Sequence, residues 1–354
     1  MNKILIVAPS TKMGGAEQAS VNLANGLQSV GKQITYISLF MQEKFFKLNS
    51  EIKFIEPENF NIKKLNLIET LLWLRKIIKK ENPDAVIVYQ KFYSAIVLLA
   101  LAGTKYRVFI SERASPLFKW STHVSIFNKI VFSLRKPDGV IAQTSIAAEY
   151  QQKYYGKKVP IKVIPNIVRE VKLFPEIKRE NIILAVGRLG DHLKGFDSLI
   201  KAISITKNNW ELHIAGGDED GEYLKQMARD LNVLNRIKFL GKVKNMDEVY
   251  ARAGIFVIPS RSEGFPNALL EAMAAGLPCI AFDFIAGPRD IITDGINGII
   301  IEDGNIDALA RAIDELVADP KKRLSLGKNA LSVREKFHAK VITNQVLNFI
   351  QDYK

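Results

Sequence analysis

Short apolar runs alternate with helical stretches along this 354-residue chain. Such alternation is typical of βαβ units, whose parallel strands are covered by helices. It predicts an α/β fold with two Rossmann-like, doubly wound domains in succession. The predicted strands lie at residues 4–8, 34–39, 85–89, 107–111 and 139–142, and then at 182–186, 211–215, 237–240, 254–258 and 278–282. The clearest helical patterns lie at residues 16–30, 65–80 and 146–154.

A charged and poorly periodic stretch at residues 168–180 interrupts this pattern and is interpreted as an interdomain linker. The predicted domains are therefore residues 1–168 and 169–335, with residues 336–354 forming a helix that returns to the first domain. Ligands of doubly wound sheets bind beyond the carboxyl ends of the strands. The cleft between two such domains is the predicted ligand site.

The number of cysteines, the spacing of the histidines and the length of the apolar runs exclude several classes of protein. Cys279 is the only cysteine, and the four histidines are scattered, so no disulfide framework or metal cluster is expected. No run of ~18 uncharged apolar residues occurs, and the apolar run at residues 4–8 lacks a cleavage pattern. We therefore expect a folded cytoplasmic protein.

Positive charge is concentrated in the first half of the chain. Residues 1–168 carry 24 Lys and Arg against 11 Asp and Glu, whereas residues 169–354 carry 26 of each sign. A basic half indicates that this part of the protein contacts an anionic partner, either nucleic acid or the phosphates of a membrane. Basic and aromatic residues are mixed in two segments, 63–80 and 118–136. They predict peripheral attachment to an anionic membrane, although a core-packing helix with a solvated face also explains the first segment.

Residues 262–271 read S-E-G-F-P-N-A-L-L-E. Pro266 suits the first turn of a helix, which places Glu271 inside that helix and Glu263 in the loop before it. Backbone N–H groups at the helix start, near Asn267 and Ala268, favour an anion. Two carboxylates around such a site can hold hydroxyl groups on either side of a diphosphate. Taken alone, the pair is better explained as an exposed loop Glu and a Glu in the N-terminal turn of a helix, where the helix dipole favours it.

Two further loops follow predicted strands. Gly187 and Arg188 precede Lys194, and these cations could stabilise a departing nucleoside diphosphate, or form an ordinary basic loop. Gly14 and Gly15 precede the first helix, where a ligand could approach the backbone closely, or where the chain simply turns.

Together these blocks resemble glycosyltransferase family 4, which has the GT-B architecture of two Rossmann-like domains. The resemblance implies that Glu271 holds the ribose of the nucleotide and Glu263 contacts the transferred sugar. It assigns the catalytic cations to Arg188 and Lys194. The remaining donor-binding residues that it implies are Gly14, Gly15, Gly187, Phe265, Pro266, Asn267 and Ala268.

Acceptor residues are implied by a second resemblance. Ser111, Glu112 and Arg113 lie in an I-S-E-R-A-S-P block that is similar to family members acting on bacterial surface polysaccharides. Glu112 could take the acceptor's proton or pair with Arg113. Arg289 lies in an A-G-P-R-D-I-I block that is similar to the block of a family subset using galactose-type donors. The alternative is that Arg289 is an ordinary surface cation. The D-x-D at residues 218–220 is interpreted as a solvated turn, so no metal or other cofactor is expected.

The resemblance implies a retaining transferase that moves a hexose or N-acetylhexosamine from a UDP-sugar to a saccharide, with a polyprenyl-diphosphate-linked acceptor favoured. The implied route is front-face attack, in which the leaving diphosphate helps to remove the acceptor's proton. A nucleotide-sugar epimerase of the same fold is the first alternative. A nucleic-acid-binding protein is the second, disfavoured because the excess charge avoids the half that bears the phosphate motifs.

Overall fold

The computed structural model describes residues 1–12, 14–41, 44–57, 67–217 and 221–352. Two compact units make up the chain: unit 1 is Met1–Ile167 with Phe337–Lys354, and unit 2 is Val168–Lys336. These limits differ by one residue from the predicted boundaries after residues 168 and 335.

Unit 1 contains a parallel sheet. Its strands are β1 (Lys3–Ala8), β2 (Gln33–Ser38), β3 (Lys53–Ile55), β4 (Ala85–Tyr89), β5 (Val108–Glu112), β6 (Gly139–Ala142) and β7 (Ile161–Val163). Its first five helices are α1 (Gly15–Ser29), α2 (Leu67–Glu81), α3 (Lys91–Ala100), α4 (Thr122–Leu134) and α5 (Ser145–Tyr155). The strand order is β3-β2-β1-β4-β5-β6-β7.

Unit 2 repeats this architecture with six strands. They are β8 (Ile182–Val186), β9 (Glu211–Ala215), β10 (Ile237–Gly241), β11 (Ile255–Ile258), β12 (Cys279–Phe282) and β13 (Ile299–Ile301), in the order β10-β9-β8-β11-β12-β13. Its helices are α6 (Phe196–Ile205), α7 (Glu222–Asp230), α8 (Met246–Arg252), α9 (Asn267–Ala274), α10 (Pro288–Ile291), α11 (Ile306–Ala318), α12 (Pro320–Ala330) and α13 (Val333–Lys336). Both sheets are doubly wound, which confirms the predicted fold class.

The last helix, α14 (Ala339–Asp352), belongs to unit 1, as the sequence predicted. It packs against α1 so closely that a Cβ atom at Gly26 would lie 2.5 Å from Oγ1 of Thr343. Its far end covers the sheet, because a Cβ atom at Gly139 would lie 2.8 Å from the Phe349 ring. The guanidinium of Arg107 also donates to the carbonyl oxygen of Ile350, at 2.9 Å.

Both faces of the unit 1 sheet are buried. Alternate residues of β1 enter different apolar clusters, Ile4 and Ile6 on the side of α1 and α14, and Leu5 and Val7 on the side of α2, α3 and α4. Strands covered on both faces need apolar residues at every position, which explains the uninterrupted runs in the sequence.

The order of strands reverses once in each sheet. In unit 1, β2 and β3 lie on one side of β1 and the later strands lie on the other side, beginning with β4, so the order reverses between β1 and β4. In unit 2 the order reverses in the same way between β8 and β11. Doubly wound sheets bind ligands at this switch point, beyond the carboxyl ends of the strands. The loops that follow β1, β8 and β11 are therefore the parts of the fold placed to bind a ligand.

Within the described residues, three strands were not predicted, and all three are edge strands of three residues: β3, β7 and β13. So short a segment has no detectable period. The helix predicted at residues 65–80 is observed as α2, and Lys63 and Lys64 lie outside the described residues. Among the described helices, none is both long and apolar enough to cross a bilayer.

Candidate functional site

Lys194 and Glu263 form an ion pair beyond the switch point of unit 2. The Nζ atom of Lys194 lies 2.8 Å from Oε1 and 3.0 Å from Oε2 of Glu263. Ser260 donates its hydroxyl to the same Oε1 at 2.8 Å. The two charged side chains are 20% and 12% exposed, so water screens them only partly. The loops after β8 and β11 thus bring together two residues that lie 69 positions apart in the chain.

Gly195 allows these two loops to approach each other. Its φ of +66° is in the left-handed region, and an added Cβ atom would lie 1.9 Å from the carbonyl oxygen of Pro259. Only glycine satisfies both requirements. In the K-G pair of the sequence, Lys194 is therefore the cation of the ion pair, and Gly195 is the residue whose small size lets the loop after β11 pack closely.

Arg261 fastens the same loops through its side chain. Its guanidinium donates to both carboxylate oxygens of Asp197, at 2.8 and 2.7 Å, and to the carbonyl oxygen of His192 at 2.7 Å. Its backbone N–H donates to the carbonyl oxygen of Leu193 at 2.8 Å. The loop that carries Glu263 is thus fastened to the turn that carries Lys194. Sequence reasoning did not select Arg261, since a lone arginine before a motif gives no signal.

Glu271 lies in the middle of α9 and is also ion-paired. Its Oε2 atom lies 3.0 Å from Nε of Arg169 and 3.4 Å from the hydroxyl of Tyr250. Arg169 also lies 2.6 Å from Oδ1 of Asp247. Burial raises the pKa of the Tyr250 phenol well above its ordinary value, and the charge of Glu271 adds to this. Burial opposes the charge of Arg169, but Glu271 and Asp247 outweigh it and raise the pKa of Arg169. The sequence placed Arg169 in a linker and did not reveal this contact.

The start of α9 differs from the prediction. Pro266 was expected in the first turn of the helix that contains Glu271, but it is the N-cap, and α9 has eight residues beginning at Asn267. The N–H of Asn267 donates to the carbonyl oxygen of Phe265 at 2.9 Å. The N–H group of Asn267, one of the two donors expected to face an anion, is thus engaged within a tight turn. The other expected donor is the N–H group of Ala268, the next residue of α9. Phe265 itself is 93% buried.

Gly187 and Arg188 follow β8. A Cβ atom at Gly187 would lie 3.1 Å from the Lys194 stem, so this glycine leaves room for the lysine to reach Glu263. Arg188 is 72% exposed and pairs with Oδ2 of Asp191 at 2.9 Å. Of the two predicted cations, the structure holds Lys194 against the site and leaves Arg188 largely in solvent.

In unit 1, Gly14 and Gly15 lie where α1 begins, beyond the switch-point strand β1. Gly14 is the N-cap, and an added Cβ atom would lie 2.3 Å from the carboxylate of Glu17. Glu17 is buried in the first turn of α1. Gly14 therefore accommodates a glutamate from the same helix, a role that the sequence did not reveal. Met13 lies outside the described residues.

Glu112 ends β5 and is buried. Its Oε2 atom accepts the N–H of Lys91 at 3.0 Å, and its Oε1 atom accepts the N–H groups of Arg113 and Ala114 at 3.1 Å each. The carboxylate thereby holds the first residue of α3 and the turn after β5. To the two interpretations drawn from the sequence, proton acceptor or partner of Arg113, the structure adds a third, an anchor of two backbone turns.

Arg113 turns its side chain away from Glu112. Its guanidinium donates to the hydroxyl of Ser111 at 2.9 Å and to Oδ1 of Asn166 at 2.6 Å. Burial lowers the pKa of Arg113, against the opposing influence of Tyr89 and the Glu112 carboxylate. Ser111 and Arg113 thus tie the end of β5 to the last residues of unit 1 before the crossing to unit 2.

Arg289 is 68% exposed and forms a forked pair with Asp283, with Nε at 2.9 Å from Oδ1 and Nη2 at 2.7 Å from Oδ2. The D-x-D at residues 218–220 lies outside the described residues. Within the part of the chain that the structure describes, no group of three His, Cys, Asp or Glu side chains could hold a metal ion.

The whole fold matches solved structures of GT-B glycosyltransferases. The lipopolysaccharide outer core galactosyltransferase WaaB aligns with a TM-score of 0.79 and 23% identity over 99% of this chain and 100% of that one. Anabaena HepE in complex with UDP aligns with a TM-score of 0.82 and 19% identity over 99% of this chain and 100% of that one. These similarities establish a GT-B fold.

Two family models cover most of the sequence. The model described as Glycosyltransferase Family 4 matches residues 13–170, and the model described as Glycosyl transferases group 1 matches residues 169–333. Their limits meet where unit 1 ends and unit 2 begins. The chain therefore belongs to glycosyltransferase family 4.

Curated relatives align over nearly the full length. An uncharacterized glycosyltransferase of Haemophilus influenzae is 26% identical over 92% of both chains. GalNAc-alpha-(1->4)-GalNAc-alpha-(1->3)-diNAcBac-PP-undecaprenol alpha-1,4-N-acetyl-D-galactosaminyltransferase of Campylobacter jejuni is 27% identical over 100% of this chain and 99% of its own. The lipopolysaccharide 1,6-galactosyltransferase of Salmonella typhimurium is 25% identical over 87% of this chain and 88% of its own.

Proposed function

We propose that this glycosyltransferase moves a hexose or N-acetylhexosamine from a UDP-sugar, of the galactose, GalNAc or GlcNAc type, to a saccharide acceptor with retention at the anomeric carbon. The observation that carries the proposal is the partly buried pair of Lys194 and Glu263 beyond the switch point of unit 2. The names of the Campylobacter and Salmonella relatives support the choice of sugar.

In the proposed site each charged group has a separate task. Lys194 provides a compact positive charge for the departing diphosphate, and Arg188 can join it from solvent. Glu263, held by Lys194 and Ser260, accepts hydrogen bonds from hydroxyl groups of the sugar. Glu271, oriented by Arg169, accepts those of the ribose. The first turn of α9 and Gly187 let the phosphates approach the backbone of unit 2.

The proposed reaction breaks the bond between the anomeric carbon and the diphosphate oxygen and forms a bond to the acceptor oxygen on the same face of the sugar. The acceptor's proton passes to the leaving diphosphate. Retention by this route requires no nucleophile from the protein, and the proposed reaction proceeds without a metal or another cofactor. The products are UDP and the extended saccharide.

The proposed acceptor is a saccharide linked to polyprenyl diphosphate, in the assembly of a bacterial surface polysaccharide. The Campylobacter relative, whose name includes an undecaprenol-linked acceptor, supports this choice. Such an acceptor requires the enzyme to reach the cytoplasmic face of the membrane.

Helix α4 carries a surface suited to that contact. Ile126, Ile130 and Leu134 repeat every four residues, which places them on one face of the helix, and they are 53%, 54% and 77% exposed. Exposed lysines lie beside them at positions 119 and 129. Between Glu112 and Asp138 the sequence has no acidic residue. An apolar face with basic borders binds at the surface of an anionic bilayer, where each cation contributes about 1 kcal/mol.

Donor binding is tested by thermal shift and isothermal calorimetry with UDP and a panel of nucleotide-sugars. We expect Glu271→Ala to raise the Kd for UDP at least tenfold, or about 1.4 kcal/mol, through loss of the ribose contact. Lys194→Ala is expected to lower kcat about 100-fold or more, because its charge acts mainly in the transition state.

Lys201→Ala on α6 and Glu302→Ala are matched controls, since both side chains are exposed away from the pair. Wild-type activity in both site variants would show that the site lies elsewhere. Release of an epimerised nucleotide-sugar from donor alone would favour the epimerase instead.

Membrane contact is tested by flotation with phosphatidylglycerol vesicles and with neutral phosphatidylcholine vesicles. We expect salt-sensitive flotation with the anionic vesicles only, reduced several-fold by Ile130→Glu. Val341→Glu is the control, because Val341 is a similarly exposed apolar residue on α14. Equal flotation of both variants, or indifference to anionic lipid, would exclude this surface.

A further inference from the structure

A cavity of about 500 Å³ opens in unit 2 at the amino ends of the strands. Four residues of its lining directly precede strands β8, β9, β11 and β12: Asn181, Trp210, Gly254 and Pro278. The proposed donor site lies beyond the carboxyl ends of strands in the same sheet. None of the site residues predicted from the sequence lines this cavity, so the function proposed above gives it no role.

One face of α12 forms a wall of the cavity. The lining residues of this helix and its C-cap recur every three or four positions, which places them along one side: Pro320, Arg323, Leu324, Gly327, Lys328 and Leu331. Gly327 fits against the turn after α9, because an added Cβ atom would lie 2.4 Å from the carbonyl oxygen of Gly276. Leu324 is 76% exposed, so this wall offers apolar surface to a ligand.

The accessible apolar surface of the cavity is aliphatic. Leu173, which also lines it, is 45% exposed, whereas Trp210 is only 6% exposed. The indole packs on Gly254, where an added Cβ atom would lie 2.5 Å from the ring, and the guanidinium carbon of Arg323 lies 5.0 Å from the ring centroid. Leucine side chains with little accessible aromatic surface suit an alkyl chain.

Arg179 fastens the ends of α8 and α9 beside the cavity. Its Nη1 atom donates to the carbonyl oxygens of Tyr250 and Ala253, at 3.1 and 2.9 Å. Its Nη2 atom donates to the carbonyl oxygens of Ala275 and Gly276, at 2.9 and 3.1 Å. Burial lowers the pKa of Arg179, because these neutral acceptors do not balance its charge.

Arg323 and Lys328 have N–H donors to offer a ligand. The Nη1 atom of Arg323 donates to the carbonyl oxygens of Leu316 and Val317. Among the residues that the structure describes, none accepts a hydrogen bond from the Nε or Nη2 atom of Arg323, or from the Nζ atom of Lys328. Burial lowers the pKa of Arg323, against the opposing charge of Asp319.

The lining carries an excess of positive charge. Of its described residues only Glu180 is acidic, and the Oε1 atom of Glu180 already lies 2.8 Å from Nη1 of Arg252. Three lining cations, at positions 179, 323 and 328, therefore outnumber one carboxylate that has its own partner. Such a cavity attracts an anion, and guanidinium and ammonium groups bind carboxylate or phosphate oxygens.

We propose that this cavity binds a small amphiphilic anion, with one carboxylate or phosphate head group and a short alkyl chain. Arg323 and Lys328 hold the head group, and Leu173 and Leu324 contact the chain. The volume falls within the ~300–1,000 Å³ of pockets for small molecules. The site goes beyond the proposed function, since its ligand is neither the donor nor the acceptor of the sugar.

Calorimetry on the full chain tests this assignment with octyl phosphate, octanoate and neutral octanol, all below their critical micelle concentrations. We expect at least one of the two anions to bind, and octanol to bind at least about tenfold more weakly. Comparing the two anions distinguishes a phosphate ligand from a carboxylate. Between butyl and octyl phosphate, each added CH₂ group is expected to strengthen binding about fourfold, since it is buried against the leucines.

Two exposed residues of α12 provide the variants. Leu324→Ser is expected to weaken binding of the octyl anion about tenfold, and Lys328→Gln to weaken it several-fold without affecting octanol. Ile205→Ser and Lys321→Gln are the matched controls, because both residues are exposed in unit 2 outside the lining. They are expected to leave binding unchanged, and thermal unfolding checks that all four variants are folded.

Saturating UDP is expected to leave the Kd for the octyl anion unchanged, since the donor site is at the other end of the strands. Competition by UDP would place the probe in the donor site and overturn the proposal. So would failure of both anions to bind, or binding that Leu324→Ser and Lys328→Gln do not weaken. Leu324-dependent flotation with anionic vesicles would make this face a membrane surface, and a dimer dispersed by Leu324→Ser would make it a subunit interface. Either result would also overturn the proposal.

Discussion

Gly195 shows how strongly the proposed donor site depends on a single residue. Lys194 reaches Glu263 because the next residue has a positive φ and lets the Pro259 carbonyl oxygen approach within 1.9 Å of a would-be Cβ atom. A methyl group at residue 195 would clash with the backbone carbonyl group of Pro259, and backbone cannot rotate away as a flexible side chain can. The two loops would have to separate, and with them the ion pair.

We therefore expect Gly195→Ala to lower the free energy of unfolding by several kcal/mol and to abolish most activity. Gly304→Ala is the matched control in the same unit, because Gly304 has a φ of +74° but open space around its would-be Cβ atom. It is expected to cost only about 1 kcal/mol, the penalty of the left-handed conformation. Chemical denaturation of both variants measures the difference, and equal losses would show that the contact with Pro259 is unimportant.

The sequence selected most of the charged residues of the candidate site but not the residues that they contact. Lys194, Glu263 and Glu271 stand in recognisable motifs, and each lies in the predicted part of the fold. The contacts of Arg169 with Glu271 and of Glu112 with backbone N–H groups join distant or unremarkable positions. No local pattern encodes such pairs, because the intervening chain decides whether they meet.

At the scale of elements, the forked pair of Asp197 and Arg261 joins the start of α6 to the loop after β11. Burial alone would raise the pKa of Asp197, but hydrogen bonds and charge from Arg261 outweigh it and hold that pKa below its ordinary value of 3.8. A carboxyl group with a lowered pKa stabilises the folded state above its ordinary pKa. This contribution disappears as the pH falls through the pKa in the folded state.

Asp197→Asn is therefore expected to lower the stability at pH 7 by about 1 kcal/mol, a modest value because the pair is partly exposed. The difference between wild type and variant should shrink as the pH falls below 3.8. Thermal unfolding from pH 7 to pH 3 tests both statements. Glu315→Gln, which removes a more exposed pair with Lys322, should change little. A difference that is constant with pH would show that the carboxylate charge does not stabilise this junction.

At the scale of the whole molecule, unit 1 is made of two separate stretches of chain. Ile342, Val346, Phe349 and Ile350 of α14 are buried in the apolar cluster below α1 and the sheet. Fully burying one such side chain contributes roughly 1.5–3 kcal/mol. The last helix is therefore part of the core of unit 1, although it follows unit 2 in the sequence.

Phe349→Ala is expected to destabilise unit 1 by roughly 3–5 kcal/mol, since it opens a cavity between α14 and Phe109, whose ring centroid lies 5.8 Å from that of Phe349. Hydrogen exchange should quicken in β5 and β6 of unit 1 while unit 2 keeps its protection. Val341→Ala on the exposed side of α14 serves as the control. Uniform loss of protection in both units would contradict an effect confined to unit 1.

By itself the sequence determined the class of fold, because strands buried on both faces must be apolar throughout and helices must be amphipathic, and both periods are local. It also predicts that the loops after β1, β8 and β11 bind a ligand, since glycines, cations and carboxylates there follow strand ends. Only the tertiary structure decided that Lys194 meets Glu263 and that Arg169 meets Glu271. These relations depend on how loops from distant positions pack at one edge of a sheet, and packing is not a local property of sequence.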